Sequence, residues 1–498
     1  RLPEPNLTDT SEDWGISFKG TNIIQQQSLD IQDFNGIVLY NGGGTATNSD
    51  GNGEQFYEFK GQISATNAPS IRMYTNLRRA FYNSSFQGQV SSQQALNLSN
   101  WDLSNVICSA RMFKDCTNLG DGFDVTINNW DLSNSNLNDR IFENAFGYNN
   151  GSYSSGTISI NNWNIKGDLL CMFHRCNGFD GDLSGWTITD PTNMQQIFMD
   201  CTEFTGIGLS SWTVTSPQGL EYRMDQIFRN CTSLGNGQDI DISDVPDGTW
   251  NYTYCSDMKH AFQSTPNLGN NSEFKMNNCN LVNLVDEDAL YKTFFYSFGY
   301  NDGSYTIDIQ ELKNWNIAPS DASGDYGISM YHMFYSSDNF NGDVSGWTIT
   351  DPTSMESMFH ECDNFEGNGL STWTVNSPQG LSYTMKQMFR HCISLGNGQN
   401  IDISQSHNGW DYTYCSDMKH AFQSTPNLGN NSEFKMNNCN LVNLVGGPAK
   451  DALYQTFFEC FGHDLTNGSG ENQYNSNIIP KLKNWNIAPS NASGGYGI

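Results

Sequence analysis

The sequence predicts an α/β repeat protein, a solenoid of about thirteen coils that each supply one short parallel strand and one short helix. Three observations predict this fold. A long block is duplicated, a phenylalanine recurs once per coil, and a tryptophan-centred run follows most of these phenylalanines. A single strand and a single helix cannot bury their apolar faces alone, so neighbouring coils must stack.

The duplicated block is plainest where it is unchanged. Tyr252–Val285 recurs without a difference as Tyr412–Val445, and GDLSGWTITD at Gly181–Asp190 returns as GDVSGWTITD at Gly342–Asp351. We therefore expect two blocks of about 160 residues, 169–329 and 330–498, within a solenoid that spans 76–498. Residues 1–75 lack the pattern, and we interpret them as a β-prone cap or assembly head.

The shorter period is marked by a phenylalanine, which we call the anchor of its coil. Apolar residues one and four positions before most anchors share one face of a helix, so a short helix is predicted there. The form of a helix start, with a capping side chain before proline, occurs at Asp190-Pro191, Ser216-Pro217, Asp351-Pro352 and Ser377-Pro378. The anchors are Phe81, Phe113, Phe142, Phe173, Phe198, Phe228, Phe262, Phe294, Phe334, Phe359, Phe389, Phe422 and Phe457.

The strand of each coil is predicted at its tryptophan. All tryptophans except Trp14 stand in runs such as WTIT, WTVT or WNI, where β-branched and aromatic residues alternate with polar ones. This alternation is typical of a short strand.

Several runs resemble a known class of repeat. Asn100–Val106 (NWDLSNV), Phe179–Trp186 (FDGDLSGW) and Phe340–Trp347 (FNGDVSGW) are similar to the BspA-like leucine-rich repeats of surface proteins. The resemblance covers about residues 76–498 and implies a leucine-rich-repeat-like solenoid. It also implies a structural or adhesive role at a cell surface.

Composition limits the partners and the compartment. The 53 acidic and 24 basic residues give a net charge of −29, which argues against nucleic acid and anionic membranes as partners. No apolar run of about 18 residues is present, so we expect no membrane span. The first residue is Arg1 rather than methionine, and the chain holds thirteen cysteines. Both observations favour a processed, extracellular protein.

No motif in the sequence carries an enzyme mechanism. A zinc-binding HExxH, a nucleophile elbow and a Walker loop are all missing, so the protein is predicted not to be an enzyme and to need no cofactor. Asn48, Asp50 and Asn52 imitate the start of a calcium loop, but Phe59 stands where a bidentate glutamate is required. Calcium therefore stays possible, without a site that the sequence can place.

The cysteines form a pattern that favours disulfides. The position three residues after each anchor holds a small residue, and adjacent coils bring such positions close together. The predicted pairs are Cys201–Cys231, Cys362–Cys392, Cys171–Cys176, Cys255–Cys279, Cys415–Cys439 and, by elimination, Cys108–Cys116, with Cys460 unpaired. The alternative is an unbonded ladder of small buried residues.

Possible glycosylation sites are common, although a chain rich in Asn, Ser and Thr contains such sequons by chance. Tyr148, Tyr300 and Tyr305 stand beside Gly/Asn loops, where their rings could stack on glycans. The sequons are at Asn6, Asn83, Asn97, Asn150, Asn230, Asn251, Asn270, Asn430, Asn467 and Asn491.

Two functions fit these features. The first is a structural subunit of a surface fibre or appendage, which binds copies of itself head to tail. Tyr496–Ile498 matches Tyr326–Ile328, the point at which the next coil follows in the earlier copy. The second is a monomeric adhesin or receptor ectodomain that binds a glycan or another surface protein. The near identity of whole blocks favours the structural subunit.

Overall fold

The structure, a computed structural model, describes residues 16–18, 29–40, 53–86, 95–244, 250–299, 309–320, 327–406, 409–445, 451–461 and 481–489. It divides into two compact units. Unit 1 comprises Arg1–Leu234 with Gly248–Trp250, and unit 2 comprises Gly235–Asp247 with Asn251–Ile498. Each unit is a repeat-type, β-rich fold built from short parallel strands.

The strands are short, most of them two to five residues long. Two 3-10 helices, Leu209–Ser211 in unit 1 and Leu370–Thr372 in unit 2, are the only helices of the described residues. Unit 1 contains β1 (Asp30–Ile31), β2 (Gln62–Ile63), β3 (Thr75–Asn76), β4 (Leu96–Asn97), β5 (Val106–Cys108), β6 (Val125–Thr126), β7 (Asp131–Leu132), β8 (Ile158–Ser159), β9 (Asn164–Asp168), β10 (Thr187–Asn193), β11 (Thr213–Thr215) and β12 (Tyr222–Arg223). Unit 2 contains β13 (Ile240–Asp241), β14 (Cys255–Asp257), β15 (Phe274–Lys275), β16 (Asn280–Leu284), β17 (Gln310–Glu311), β18 (Asn316–Pro319), β19 (Ile328–Ser329), β20 (Thr348–Thr350), β21 (Pro352–Ser354), β22 (Thr374–Asn376), β23 (Tyr383–Thr384), β24 (Ile401–Asp402), β25 (Cys415–Asp417), β26 (Phe434–Lys435), β27 (Asn440–Leu444) and β28 (Asn486–Pro489).

The tryptophan-centred runs form parallel ladders, as the sequence predicts. In unit 1 the order is β7, β9, β10, β11, with Ile188 of β10 opposite Ile165 and Val214. In unit 2 the order is β16, β18, β20, β22, with Ile317 opposite Ile349. Each inner strand of these sheets therefore pairs with the strands of the coils before and after it, so the coils of a unit stack.

The prediction of one helix in each coil is wrong. Around Phe198, alternate backbone amides donate to carbonyls of the next coil instead of to their own: Met194 to Arg223 (2.8 Å) and Phe198 to Ile227 (2.8 Å). Between these bonds the chain makes successive β-turns, such as the one closed by Cys201 N–H and Phe198 C=O at 3.0 Å. We call this part of each coil the turn segment.

Left-handed backbone explains how the turn segment imitates a helix. Residues two before and two after each anchor have positive φ, for example Gln196 (55°) and Asp200 (62°) around Phe198. These residues turn the chain at four-residue intervals, so the apolar spacing of a helix arises without one. None of the four predicted helix starts begins a helix: Pro191 lies in β10, Pro352 in β21, and Pro217 and Pro378 lie in turns.

Two aromatic columns form much of the core. In unit 1 the anchor rings from Phe56 to Phe228 stack at 4.6–5.5 Å, and in unit 2 those from Phe262 to Phe457 stack at 5.0–5.6 Å. The tryptophans stack in the same way, as Trp163 and Trp186 do at 5.0 Å. The indole N–H of Trp163 also donates to Ile127 C=O at 2.6 Å, so the buried donor is satisfied.

The anchor column begins before residue 76. Phe56 stacks on Phe81 at 4.6 Å and on Phe18 at 5.0 Å, and positive φ at Glu54 and Glu58 flanks Phe56 as it flanks the other anchors. Part of the region interpreted as a cap thus has the turn segment of a coil. The boundary at residue 75 stays a prediction.

Candidate functional site

The surface of the turn segments differs from coil to coil, as at Lys114, Glu143 and His174, which each follow an anchor. We call the side chains two and three positions before each anchor, and one and two positions after it, the turn face. Buried anchors and backbone ladders hold these positions in register, so one residue from each coil joins a column along the unit. A surface whose residues vary on a constant framework is the natural place for a specific function.

A charged cluster occupies the turn face of unit 1. His174 lies between two carboxylates of neighbouring coils: Nδ1 is 3.8 Å from Glu143 Oε1, and Nε2 is 3.7 Å from Asp200 Oδ2. Lys114 forms an ion pair with Glu143, and Arg140 Nε is 3.4 Å from the same carboxylate. The side chains of His174 and Glu143 are only 12% and 13% exposed, so these charges interact with little screening.

The carboxylates keep His174 protonated. Burial alone would lower the pKa of His174, but Asp200, Cys171 and Glu143 outweigh it and raise that pKa to about 11. Burial would raise the pKa of Glu143, yet the positively charged His174, Lys114 and Arg140 beside it lower that pKa to about 2. The cluster is therefore ionised across the physiological range.

An aromatic cluster occupies the equivalent coils of unit 2. Tyr335, the counterpart of His174, stacks on Phe295 at 5.4 Å and lies edge-on to His360 at 4.9 Å. The centroid of His332 is 4.6 Å from that of Tyr335. Lys292 Nζ lies 4.4 Å from the centroid of Phe295, within the range of a cation–π contact.

Burial keeps the histidines of this cluster neutral. His360 is 7% exposed, and neither of its ring nitrogens has a hydrogen-bond partner among the described residues. Burial lowers the pKa of His360 to about 4. Arg390 and His391 act in the same direction, and together these effects outweigh Glu361, which acts to raise that pKa. Burial, Lys292 and His360 lower the pKa of His332 to about 4 as well. The same fold thus holds a charged histidine in one copy and uncharged ones in the other.

The structure contains none of the predicted disulfides. All thirteen cysteines are free and buried, Cys460 among them. The predicted pairs that are unbonded are Cys201–Cys231, Cys362–Cys392, Cys171–Cys176, Cys255–Cys279, Cys415–Cys439 and Cys108–Cys116. In the column three residues after the anchors, each thiol donates to the anchor carbonyl of the preceding coil. Cys201 Sγ bonds Phe173 O and Cys231 Sγ bonds Phe198 O, both at 2.9 Å. The alternative of an unbonded ladder describes this column.

Geometry explains why stacked cysteines stay unbonded. Side chains in register on parallel coils are separated by about 4.8 Å, whereas a disulfide needs its Cβ atoms about 3.5–4.5 Å apart. Cys171 and Cys176 face different ways: Cys171 Sγ is 3.3 Å from Gln196 Oε1 on the turn face, and Cys176 Sγ bonds Phe142 O inside. Burial raises the pKa of Cys176 well above its usual value, so this thiol is unreactive.

The predicted glycosylation sites differ in access. Asn83 and Asn97 are exposed, Asn270 is buried, and the remaining described sequons are half-buried: Asn150, Asn230, Asn251 and Asn430. Asn6, Asn467 and Asn491 lie outside the described residues.

Little else of the predicted chemistry falls on described positions. Tyr148 is half-buried, while Tyr300, Tyr305 and the calcium-like residues 48–52 lie outside the described part of the chain. Within that part, no group of three or more His, Cys, Asp or Glu side chains could hold a metal ion. No helix there has the length and apolarity needed to cross a membrane.

Comparison with known proteins gives one match. The family model described as "Mycoplasma protein of unknown function, DUF285" matches residues 54–166, 155–235 and 328–446. Curated proteins and solved structures give no match. The first matched segment begins at the turn segment of Phe56, so the family repeat and the observed coils coincide there. With three matched segments over more than half its length, the chain belongs to the DUF285 family.

Proposed function

We propose that the protein is an extracellular structural repeat protein, a subunit of a surface fibre or appendage that assembles head to tail. Exposed apolar residues on the last described coil support the proposal. Ile487 of β28 is 44% exposed, whereas Leu441 and Ile317, at the equivalent position of earlier coils, are 0% exposed. In the earlier coils the next layer covers these residues, whereas no layer of the described residues covers Ile487.

The turn segment of the same coil is uncovered too. Phe458 is 44% exposed, whereas Phe295, at the equivalent position, is 8% exposed. Apolar side chains and unpaired strand edges at the end of a stack favour pairing with another chain. In the proposal, the N-terminal region of a second copy covers this coil, and repetition of that contact gives an open fibre.

The surface location rests on resemblance. The repeats resemble those of BspA-like surface proteins, which supports an extracellular structural role. The thirteen free thiols add no support for an oxidising compartment. The proposal includes no catalytic step and no cofactor.

The alternative is a monomeric adhesin or receptor ectodomain that binds a glycan or protein. The half-exposed rings of Tyr291 and Tyr331 favour it, since they stack at 5.6 Å and offer a flat aromatic surface.

Assembly separates the two functions. Ile487→Lys places a charge on the proposed contact, and Ile393→Lys is the matched control, because Ile393 is 38% exposed. We expect light scattering and electron microscopy to show fibres for the unchanged protein and for the control. The Ile487→Lys variant should give single particles with an unchanged circular dichroism spectrum.

Removal of residues 1–75 tests the other side of the contact and should also abolish fibres. If the unchanged protein is monomeric at all concentrations, the proposal is contradicted and the monomeric adhesin or receptor ectodomain becomes the better-supported function.

A further inference from the structure

Three arginines stand in one column of the turn face in unit 1. Arg79, Arg111 and Arg140 each lie two residues before an anchor, on consecutive coils, with φ of 56°, 58° and 54°. The backbone ladder keeps them in register, since Arg79 N–H donates to Ala110 O (3.1 Å) and Arg111 N–H to Asp139 O (2.9 Å). Successive residues of this arginine column are thus about 4.8 Å apart along the stack.

A buried carboxylate holds two of these arginines in place. Asp139 is 7% exposed, and its Oδ2 is 2.8 Å from Arg140 Nη1 and 3.8 Å from Arg111 Nε. Arg79 lies over the ring of Tyr82, 5.6 Å from its centroid. The side chains of Arg111 and Arg140 remain 26% and 28% exposed, so a ligand in solution can reach them.

Stacked cations of like charge repel one another at this spacing. Burial and the neighbouring Arg78 lower the pKa of Arg111, which shows how close the positive charges are. Asp139 serves two guanidinium groups of this column, and Glu143 lies 3.4 Å from Arg140 Nε.

Three lysines of unit 2 provide a matched comparison. Lys275 lies in β15, Lys313 two residues after β17 and Lys435 in β26, and each pairs with a carboxylate two residues earlier in its own coil. The Nζ–carboxylate distances are 2.5, 2.9 and 2.6 Å, to Glu273, Glu311 and Glu433. Glu433 also pairs with Lys481 at 2.5 Å, and Lys313 Nζ lies 3.3 Å from Asp343.

We propose that the arginine column binds a linear anionic polysaccharide, one acidic group to each coil. A guanidinium group recognises a carboxylate or sulfate through two parallel hydrogen bonds, and a row of them at fixed spacing suits a polymer with regularly repeated charges. Contacts made in series along one chain multiply in affinity. The proposal does not depend on fibre assembly, because the column lies within unit 1 of a single copy.

Fluorescence anisotropy with labelled oligomers tests the proposal at a protein concentration too low for assembly. The probes are an oligogalacturonate, a sulfated dextran oligomer and a single-stranded DNA oligomer of equal charge. The two saccharides distinguish carboxylate from sulfate, and the DNA tests for general attraction to anions. The R79Q/R111Q/R140Q variant is compared with the matched K275Q/K313Q/K435Q variant, which also removes three positive charges.

We expect the unchanged protein and the lysine variant to bind at least one saccharide equally well. The arginine variant should bind about 100-fold more weakly or worse, and R111Q alone about tenfold more weakly, since each charge-assisted contact contributes about one factor of ten or more. Replacement of the three arginines by lysine keeps the charge but loses the paired hydrogen bonds, and should leave intermediate affinity.

Three results would overturn the proposal. One is no saccharide binding by the unchanged protein, and another is equal loss of binding in the arginine and lysine variants. The third is DNA binding as tight as saccharide binding. Circular dichroism of the arginine-to-lysine variant confirms that a loss of affinity is not a loss of fold.

Discussion

The two copies of the duplicated block share a framework and differ on the turn face. Phe198 and Phe359 are equivalent anchors, both fully buried, and each stacks on the next anchor of its own unit at 5.5 and 5.6 Å. Yet the turn face carries the charged His174 in one copy and Tyr335 at the same position in the other. Backbone ladders and aromatic columns thus maintain the fold whatever the turn face carries.

The contrast also shows how burial acts on a histidine. In unit 1 the two carboxylates offset the cost of burying a positive charge, and His174 binds its proton more tightly than in water. In unit 2 a single carboxylate, Glu361, lies 3.6 Å from His360 Nε2, and burial together with the positive charge of Arg390 outweighs it and displaces the proton. One stacking geometry therefore supports two opposite electrostatic environments.

The largest expected effect tests the shared framework. Phe198→Ala and Phe359→Ala should each lower the free energy of unfolding by about 3–5 kcal/mol, because each opens a cavity in a stacked column. Chemical denaturation followed by circular dichroism measures the free energy of unfolding of both variants. The control Ile393→Ala, at an exposed site, should change that free energy by less than about 0.5 kcal/mol. A difference above about 1 kcal/mol between the two anchors would break the equivalence of the copies.

The next effect tests the difference between the copies through pH. The folded pKa of His174, about 11, lies above the unfolded value of 6.5. Its contribution to stability is therefore full below pH 6.5 and is lost as the pH rises toward 11. Below pH 6.5, the free energy of unfolding of the unchanged protein should exceed that of the His174→Asn variant by about 1.5–3 kcal/mol.

His360 should show the opposite dependence. Its folded pKa of about 4 lies below 6.5, so the unfolded chain takes up the proton first, and stability falls as the pH drops from 6.5 toward 4. The His360→Asn variant should escape this loss, roughly 2 kcal/mol at pH 4. Unfolding free energies from pH 4 to 10 measure both variants, and the same slope for the two would contradict the assignment.

The smallest effect concerns the thiols. Cys201→Ser keeps a donor to Phe173 O, whereas Cys201→Ala loses it, so we expect the alanine variant to be less stable by about 1 kcal/mol. A reductant should leave the melting temperature unchanged. Alkylation of the denatured, unreduced protein should modify all thirteen cysteines. A lower count would restore the predicted disulfides.

The sequence predicts the framework well because each column repeats one residue type. The anchors, the tryptophan runs and their parallel pairing all follow from residues that must be buried together, as Trp163 and Trp186 are. Phe56 escaped the pattern because Gln55 and Asn52 stand one and four positions before it, where most anchors have apolar residues. Its stacking on Phe81 becomes visible only in three dimensions.

The helix prediction failed because apolar spacing does not distinguish a helix from successive β-turns. The decisive signal is positive φ at residues such as Arg111, Gln196 and His332, which are neither glycine nor asparagine. Only the position two after the anchor gives a hint, since Asp115, Asn144 and Asn230 there tolerate left-handed backbone. The turn face could not be predicted either, because its partners come from different coils.

The bonds between turn segments have a mechanical consequence. They run from coil to coil, so a pull along the stack of a unit loads each layer in series, and the weakest layer opens first. A sideways pull on a coil loads its amide bonds, such as Met194 to Arg223 and Phe198 to Ile227, at the same moment. Each unit should therefore resist shear far better than tension, and should lengthen under load one coil at a time.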